Sequence, residues 1–162
     1  MKKIFIIAVV GLLFSCNSVA QKKENDSKKQ ETFKVTKTNA EWKKLLSPEA
    51  FYVLRKAGTE RAFTSPYNKN YKEGTYHCAG CNTPLFKSKH KFDSGTGWPS
   101  FDREIEGNVS FSTDYDLGYA RTEEHCATCG GHLGHVFTDG PRKTTGKRHC
   151  INGVALKFVP EE

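Results

Sequence analysis

The sequence has no hydrophobic run long enough to cross a membrane as a helix, which takes about 20 apolar residues. Its longest apolar stretch covers residues 4–14, and two lysines, Lys2 and Lys3, come before it. A short apolar stretch behind positive charge is typical of a secretory signal. We therefore expect residues 1–20 to be a targeting segment and the protein to be exported.

Two processing signals overlap at the end of this segment. Residues 13–16, Leu-Phe-Ser-Cys, resemble a bacterial lipobox, although Phe14 is bulkier than the residue usual at its position. Residues 18–20, Ser-Val-Ala, resemble an ordinary small-x-small cleavage site. We favour the first interpretation, in which a lipid on Cys16 attaches the protein to a membrane of a bacterial envelope. The second leaves it free in the periplasm, and in both cases Cys16 is no redox partner for the domain.

The net charge of +7 gives little indication of a nucleic-acid partner. Residues 1–31 hold six lysines against three acidic residues and so contribute +3 of it. Residues 21–37 have almost no apolar side chains and cannot bury enough surface to fold. We expect a disordered tether over residues 21–37 and a folded domain over residues 38–162. The remaining charge is typical of a solvated basic surface, and no nucleic-acid partner is expected.

Helical patterns are confined to the start of this domain. Thr38 and Glu41 have the spacing of a capping box and predict a short helix. Ser47 followed by Pro48 predicts the start of a second one. Gly58 is the residue at which we expect that helix to end.

Beyond residue 58 the sequence lacks helical patterns and has no internal repeat except two Cys-x-x-Cys pairs. Short segments that suit strands, among them residues 109–112, 118–122 and 154–159, are separated by Gly, Pro and Asn. The length allows one domain with a real core. We predict a mainly β, mainly antiparallel domain with short N-terminal helices.

The cysteine count is odd once Cys16 is set aside, so disulfides alone would leave one thiol over. Two tight Cys-x-x-Cys turns can supply the four thiolates that a structural Zn²⁺ takes. Two disulfides, or a thioredoxin-like redox pair, are the alternatives, and the redox pair is disfavoured because neither motif opens a helix. The four candidate zinc ligands are Cys78, Cys81, Cys126 and Cys129.

The remaining cysteine, Cys150, is either a small buried apolar residue or a reactive thiol. Arg148 favours reactivity because its charge can stabilise a thiolate and lower the pKa. Asn152 offers an amide for orientation. His132 and His135 follow a cysteine pair and are candidates for an acid and a hydrogen-bond donor, because four thiolates would already complete a zinc site.

A third informative stretch covers residues 93–101. Two glycines and a proline surround Trp98 in this stretch and predict a rigid, tight loop. Such a loop could hold the indole face open to a small apolar group. On local grounds Trp98 could equally fill the core.

These motifs, taken together, resemble the methionine sulfoxide reductase B family, and the resemblance runs from about residue 42 to residue 159. The motifs that carry it are the two Cys-x-x-Cys pairs, D-S-G-x-G-W-P-S-F at residues 93–101, G-x-H-L-G-H-V-F at residues 130–137, D-G-P at residues 139–141 and G-x-R-x-C-I-N at residues 146–152.

The resemblance implies two antiparallel sheets, Zn²⁺ at the four cysteines and reduction of the R epimer of methionine sulfoxide, free or in proteins. It implies that Cys150 is the nucleophile and that Trp98 packs against the substrate methyl group, with Phe137 nearby in the substrate site. The residues that it implies as positioning the sulfoxide oxygen, its water and the thiolate are His132, His135, Asp139, Arg148 and Asn152. The product on Cys150 would be a sulfenic acid, which a second thiol must reduce.

One position departs from a common pattern of that family. Many members carry a resolving cysteine where this chain has Thr96. We therefore predict a one-cysteine mechanism, with a small thiol or a thioredoxin-like protein as the reductant and oxidised envelope proteins or free methionine sulfoxide as the substrate. The alternative is that a zinc-pair cysteine serves as resolver, which would cost the metal. A monomer is expected.

Three other functions compete with this one. The first is a zinc-stabilised envelope binding module in which Cys150 is inert. The second is a thiol hydrolase or disulfide oxidoreductase that uses Cys150 with His135. A nucleic-acid-binding zinc ribbon comes last, because an exported protein rarely meets nucleic acid.

Overall fold

The computed structural model describes residues 32–161, so the expected targeting segment and most of the expected tether lie outside the described residues. The described chain has two helices followed by two antiparallel sheets, as the sequence and the resemblance predicted. Within this range no helix has the length and apolar character needed to cross a membrane.

The first helix, α1, covers Asn39–Leu45, and the capping box predicted before it is confirmed. The Thr38 backbone N–H donates to the Glu41 carboxylate at 2.7 Å, and the Thr38 hydroxyl accepts from the Glu41 N–H at 3.3 Å. These contacts satisfy backbone donors that a helix start otherwise leaves free. Trp42, on the inner face of α1, is 1% exposed.

The second helix, α2, covers Pro48–Lys56, with the Ser47 hydroxyl as its predicted cap. The predicted end was wrong by one residue. Ala57, not Gly58, adopts the left-handed conformation, with φ of 51°. Gly58 instead lies under the Tyr52 ring, where an added Cβ would come within 2.2 Å of a ring carbon. A side chain at this position would displace the Tyr52 ring, which is 55% exposed.

The two sheets hold nine strands between them. A three-stranded sheet has the order β2-β1-β9, and a six-stranded sheet has the order β3-β4-β8-β7-β6-β5. The strands are β1 (Gly74–Cys78), β2 (Pro84–Lys87), β3 (Lys91–Phe92), β4 (Ser100–Phe101), β5 (Val109–Asp114), β6 (Arg121–Cys126), β7 (His132–Phe137), β8 (Arg148–Ile151) and β9 (Leu156–Pro160).

Two predicted strands begin later than their sequence patterns indicated. The β5–β6 hairpin turns at residues 115–118, where Gly118 has φ of +81° and donates to the Tyr115 carbonyl. Strand β6 therefore starts at Arg121 rather than residue 118. Gly153–Ala155 forms a 3-10 turn, so β9 starts at Leu156.

The core lies between the sheets and beneath the helices. Phe86 of β2 stacks on Phe101 of β4 with ring centroids 4.5 Å apart, and Tyr76 of β1 packs edge-on against Phe101. Strands β7 and β8 are central in the six-stranded sheet, each paired on both sides. Side chains on these two strands are therefore held by a rigid frame.

The first described residues already contact the domain. The Val35 N–H donates to the Thr128 carbonyl at 3.0 Å, and the Phe33 ring covers Gly130. Both residues fall in the stretch whose composition predicted a tether, but the Phe33 ring packs against the second Cys-x-x-Cys turn and Val35 packs against the core.

Candidate active site and cysteine cluster

The two Cys-x-x-Cys pairs meet at one end of the sheets. Cys78 ends β1 and Cys126 ends β6, and each is followed by a turn that carries the second cysteine of its pair. Asn82 and Gly130 close these turns in the left-handed conformation, with φ of 63° and 65°. The folded sheets thus bring together cysteines that are far apart in sequence.

The four sulfur atoms fit a tetrahedral metal. The Cys78 and Cys129 sulfurs are 3.7 Å apart, and the Cys81 and Cys126 sulfurs are 3.5 Å apart. Four sulfurs at about 2.3 Å from a Zn²⁺ ion would be about 3.8 Å apart, whereas a disulfide requires about 2.0 Å. The neighbouring thiols, Cys129 first, lower the pKa of Cys126 and so favour a thiolate in the cluster. The cluster is therefore a candidate metal site and not a pair of disulfides.

Cys150 lies on β8 between two strands of the same sheet. Its backbone pairs with Ser100 of β4 on one side and with His135 of β7 on the other. The side chain faces a cavity of about 150 Å³, and the residues lining this cavity include Trp98, Arg121, His135, Phe137, Cys150 and Asn152. Gly134 lets β7 approach closely, because an added Cβ would lie 2.0 Å from the Cys150 carbonyl oxygen.

Two opposing effects act on the pKa of the Cys150 thiol. Burial raises the pKa of Cys150, and the Arg148 charge and hydrogen bonds from Thr96 and Arg148 offset this only in part. Arg148 lowers the pKa as the sequence predicted, but burial penalises a thiolate more than one neighbouring guanidinium stabilises it. The resting residue therefore keeps its proton at neutral pH.

His135 lines the cavity, and an acidic residue supports it from the neighbouring hairpin. Its Nε2 atom is hydrogen-bonded to the Asp114 carboxylate, which also accepts from Arg121 at 3.0 Å. Burial lowers the pKa of His135, although Asp114 opposes the shift. Neither Asp114 nor Arg121 was singled out in the sequence. The two residues are paired directly beside the hairpin turn, at the end of β5 and the start of β6.

His132 does not line the cavity. It is 4% exposed and lies behind His135, with ring centroids 5.6 Å apart. Its Nδ1 atom is 2.5 Å from a carboxylate oxygen of Glu123. The structure thus places the two predicted histidines side by side, but only His135 reaches the cavity.

Arg148 is held in place by Asp139 and Phe137. Its guanidinium donates two hydrogen bonds to the Asp139 carboxylate, at 2.9 and 3.0 Å, and lies 4.4 Å from the Phe137 ring centroid. This ion pair keeps the pKa of Asp139 below its usual range. Asp139 is exposed and outside the cavity lining, so its contact with the site runs through Arg148.

Asn152 and Trp98 share one buried support, Glu60, which the sequence did not reveal. Asn152 accepts from the Glu60 N–H at 2.9 Å and donates to the Leu133 carbonyl at 3.0 Å, while the Trp98 indole N–H donates to the Glu60 carbonyl at 3.2 Å. The Glu60 carboxylate in turn accepts from the Gly153 and Val154 backbone at 2.6 and 2.9 Å. This network fixes the indole at the cavity wall, which answers the question that the local sequence left open.

Thr96 stands next to the thiol. Its hydroxyl oxygen is 3.9 Å from the Cys150 sulfur. Among the described residues, all cysteines other than Cys150 belong to the four-sulfur cluster. No second free thiol of the described chain therefore faces Cys150.

Comparisons with known proteins show which family the chain is similar to. The SelR domain matches residues 46–160. The chain is 49% identical over 130 residues to the peptide methionine sulfoxide reductase MsrB of Chromohalobacter salexigens, covering 80% of this chain and 98% of that protein. The corresponding proteins of Pseudomonas putida and Leptospira interrogans are 52% and 51% identical over 130 residues, with 80% of this chain and 97% and 98% of theirs covered.

Proposed function

The chain belongs to the methionine sulfoxide reductase B family, and from this premise we propose that Cys150 is the thiol through which it reduces its substrate. The protein is a peptide-methionine (R)-S-oxide reductase. The observation that carries the assignment of Cys150 is its position in a small cavity between an aromatic wall and His135.

The cavity suits the methyl sulfoxide end of a side chain. Trp98 and Phe137 offer apolar ring surface for the methyl group, and His135 and Arg121 offer polar groups for the oxygen. Positioned polar groups in a mostly apolar cleft are the usual composition of a small-ligand site. Arg148, fixed by Asp139, adds positive charge beside the thiol.

The chemical step transfers oxygen from the substrate to Cys150. The Cys150 sulfur attacks the sulfoxide sulfur, and the thiol proton passes to the sulfoxide oxygen because the buried thiol enters the reaction protonated. The S–O bond of the substrate breaks as the oxygen moves to Cys150, giving methionine and a sulfenic acid. The substrate sulfur gains two electrons and the cysteine sulfur loses two. His135 donates its Nε2 proton in a hydrogen bond to the Asp114 carboxylate, so its Nδ1 can accept a hydrogen bond from the substrate oxygen once that oxygen is protonated.

The reductant comes from outside the chain. Thr96 occupies the position beside Cys150, and the described chain has no free second thiol there. One external thiol attacks the sulfenic sulfur and releases water, and a second thiol displaces the resulting mixed disulfide to restore Cys150. A small thiol or a thioredoxin-like protein supplies both. A cluster cysteine as resolver is the competing route.

The four-cysteine cluster holds a structural Zn²⁺ in this proposal. The sulfur spacing supports it, and a four-thiolate site is closed, so the ion supplies stability and no reaction step. Cys78 and Cys126 are the ligands from strand ends, and they tie the two sheets together.

The setting we propose is the bacterial envelope. A targeting segment over residues 1–20, a lipid on Cys16 and a polar tether leading to the packed chain would place a monomeric enzyme beside exported proteins. Its substrates there would be oxidised proteins or free methionine sulfoxide, and its role repair after oxidative stress.

Assaying each resolved epimer of a blocked methionine sulfoxide tests this function. With dithiothreitol as reductant, only the R epimer should consume thiol, and Cys150→Ser should be inactive. A folded Cys150→Ser variant with full activity would contradict the assignment of the thiol. Inactivity of the unaltered protein with both epimers would instead favour a binding module with an inert Cys150.

A further inference from the structure

A second cluster of metal-ligating side chains lies on the outer half of the six-stranded sheet. His125 of β6 and His132 of β7 are directly opposite each other in the strand register. Glu123 precedes His125 by two residues, so its side chain is on the same face. None of these residues belongs to the four-cysteine cluster.

The three side chains converge on one point. One ligand atom from each lies within 4.8 Å of the others. A single Glu123 oxygen is 3.0 Å from His125 Nε2 and 2.5 Å from His132 Nδ1. Tetrahedral ligation at about 2.0–2.1 Å spaces ligand atoms by about 3.3 Å, so these contacts need to open by about 1 Å or less to admit an ion.

The donor set is typical of a transition-metal site. Two imidazole nitrogens and one carboxylate are the ligands of zinc sites that keep an open fourth position for water. Hydrogen bonds from His125 and His132 lower the pKa of Glu123, which favours the charged carboxylate that a metal ion requires. The His125 side chain is 22% exposed, which gives an ion a route from solvent.

His132 contacts Glu123 through one ring nitrogen, and its other ring nitrogen is unpaired in the part of the chain that the structure describes. Its side chain is 5% exposed, and its Nε2 atom is buried without a hydrogen-bond partner among the described residues. Because a carboxylate only accepts, the short contact with Glu123 requires the proton on Nδ1. A metal ion on Nδ1 would place the ring proton on Nε2 and reverse the polarity of the edge that is now unpaired.

We propose that Glu123, His125 and His132 form an exchangeable site for a divalent transition-metal ion of the Zn²⁺ class, separate from the four-cysteine cluster. Occupation of this site inhibits the enzyme. The His132 and His135 rings pack together with centroids 5.6 Å apart. An ion on His132 Nδ1 would fix this ring and move its proton to Nε2, directly behind the cavity. The inhibitory effect rests on the proposed function of the cavity, whereas metal binding does not.

Calorimetric titration of the zinc-loaded mature protein with Zn²⁺ tests the binding. One further equivalent should bind, and His125→Asn should weaken its affinity at least about tenfold, since even outer-shell partners of metal sites contribute on that scale. His90→Asn is the matched control, because His90 is also a partly buried imidazole beside a carboxylate, 3.3 Å from Asp102. It should bind the further equivalent unchanged.

The competing ligand for added zinc is the Cys150 thiol. Cys150→Ser should therefore still bind the further equivalent, and Co²⁺ in its place should show absorption of nitrogen and oxygen ligation without a thiolate band. Binding that persists in His125→Asn, or that disappears in Cys150→Ser, would overturn the proposal.

Inhibition is measured without thiols, which would chelate the ion, as methionine released in a single turnover. Added Zn²⁺ should slow this release in the unaltered protein, a chelator should reverse the effect, and His125→Asn should be active and resistant. Equal inhibition of both proteins would contradict regulation through this site. If neither protein releases methionine, the proposed function fails while the calorimetric result still decides the metal site.

Discussion

The Thr96 hydroxyl lies 3.9 Å from the Cys150 sulfur, close enough that a thiol at position 96 would face the nucleophile. Thr96→Cys should therefore convert the enzyme to a two-cysteine mechanism, with only a small movement of the exposed loop needed to reach the sulfur–sulfur distance of about 2.0 Å. After one turnover without external thiol, mass spectrometry should detect a disulfide between positions 96 and 150.

Thr96→Ser is the matched control, since it keeps a hydroxyl and offers no second thiol. Its Cys150 should remain as a sulfenic acid under the same conditions. If Thr96→Cys also remains as a sulfenic acid, the two side chains do not meet as the structure places them.

The second prediction concerns the pH dependence of Cys150 alkylation. Because burial raises its pKa, the thiolate fraction is small at neutral pH and grows as pH rises, so alkylation by iodoacetamide should accelerate above the range of an ordinary cysteine. Arg148 opposes the rise, so Arg148→Met should move the alkylation profile to still higher pH. Lys143→Met, an exposed loop cation, should leave the profile in place. A profile that moves to lower pH in Arg148→Met would be inconsistent with this electrostatic account.

Asp114 should act on catalysis through His135. Asp114→Asn removes the carboxylate that His135 contacts, and since Asp114 holds the His135 pKa up, the pKa should fall further. We expect kcat/KM to fall about 10- to 100-fold, at or below the usual contribution of a general acid or base itself. Steady-state rates over a pH series measure both effects.

Asp116→Asn provides the comparison, because Asp116 is an exposed acid in the same hairpin turn. An equal loss of activity in Asp116→Asn would mean that hairpin charge, and not the contact with His135, is responsible.

Glu60 should matter for stability and substrate binding together. Its carboxylate accepts from two backbone N–H groups, and its backbone holds Trp98 and Asn152. Glu60→Ala should lower the free energy of unfolding by about 3 kcal/mol, because buried donors lose a charged partner. Chemical denaturation and KM measure the two effects, with Glu49→Ala on the exposed side of α2 as the control. Unchanged stability in Glu60→Ala would exclude the network as a support of the cavity.

Metal removal should be visible as a change in thiol count. In the metal-loaded mature protein, only Cys150 of the five described cysteines should react with a thiol reagent, and slowly. Stripping the metal should make all five reactive and lower the melting temperature, since a structural zinc site contributes its binding free energy to folding. Five reactive thiols before metal removal would argue against an occupied cluster.

The sequence predicted those parts of the fold and site that local patterns carry. The capping box at Thr38 and Glu41 depends on a spacing of three residues, and the two cysteine pairs depend on turn geometry. Cys150 stood out because the other four cysteines of the domain had been assigned to the metal site. The family resemblance added the two-sheet architecture, which the strand patterns alone gave only as mainly antiparallel.

The missed features depend on strand register and burial. Asp114 reaches His135, and Glu123 reaches His132, only because β5, β6 and β7 pair in one particular register. Glu60 supports Trp98 from 38 residues away in the chain. The effect of Arg148 on the Cys150 pKa could be predicted because a neighbouring arginine is visible in a sequence, whereas the larger opposing effect of burial could not.

The most direct test of the account is a single turnover of the R epimer in the absence of any thiol, followed by dimedone labelling and peptide mass spectrometry. Methionine should form in an amount equal to the enzyme, with a dimedone adduct on Cys150 alone and the four cluster cysteines unchanged. A disulfide joining Cys150 to one of the cluster cysteines, with metal released, would contradict reduction by an external thiol and identify that cysteine as the resolving residue.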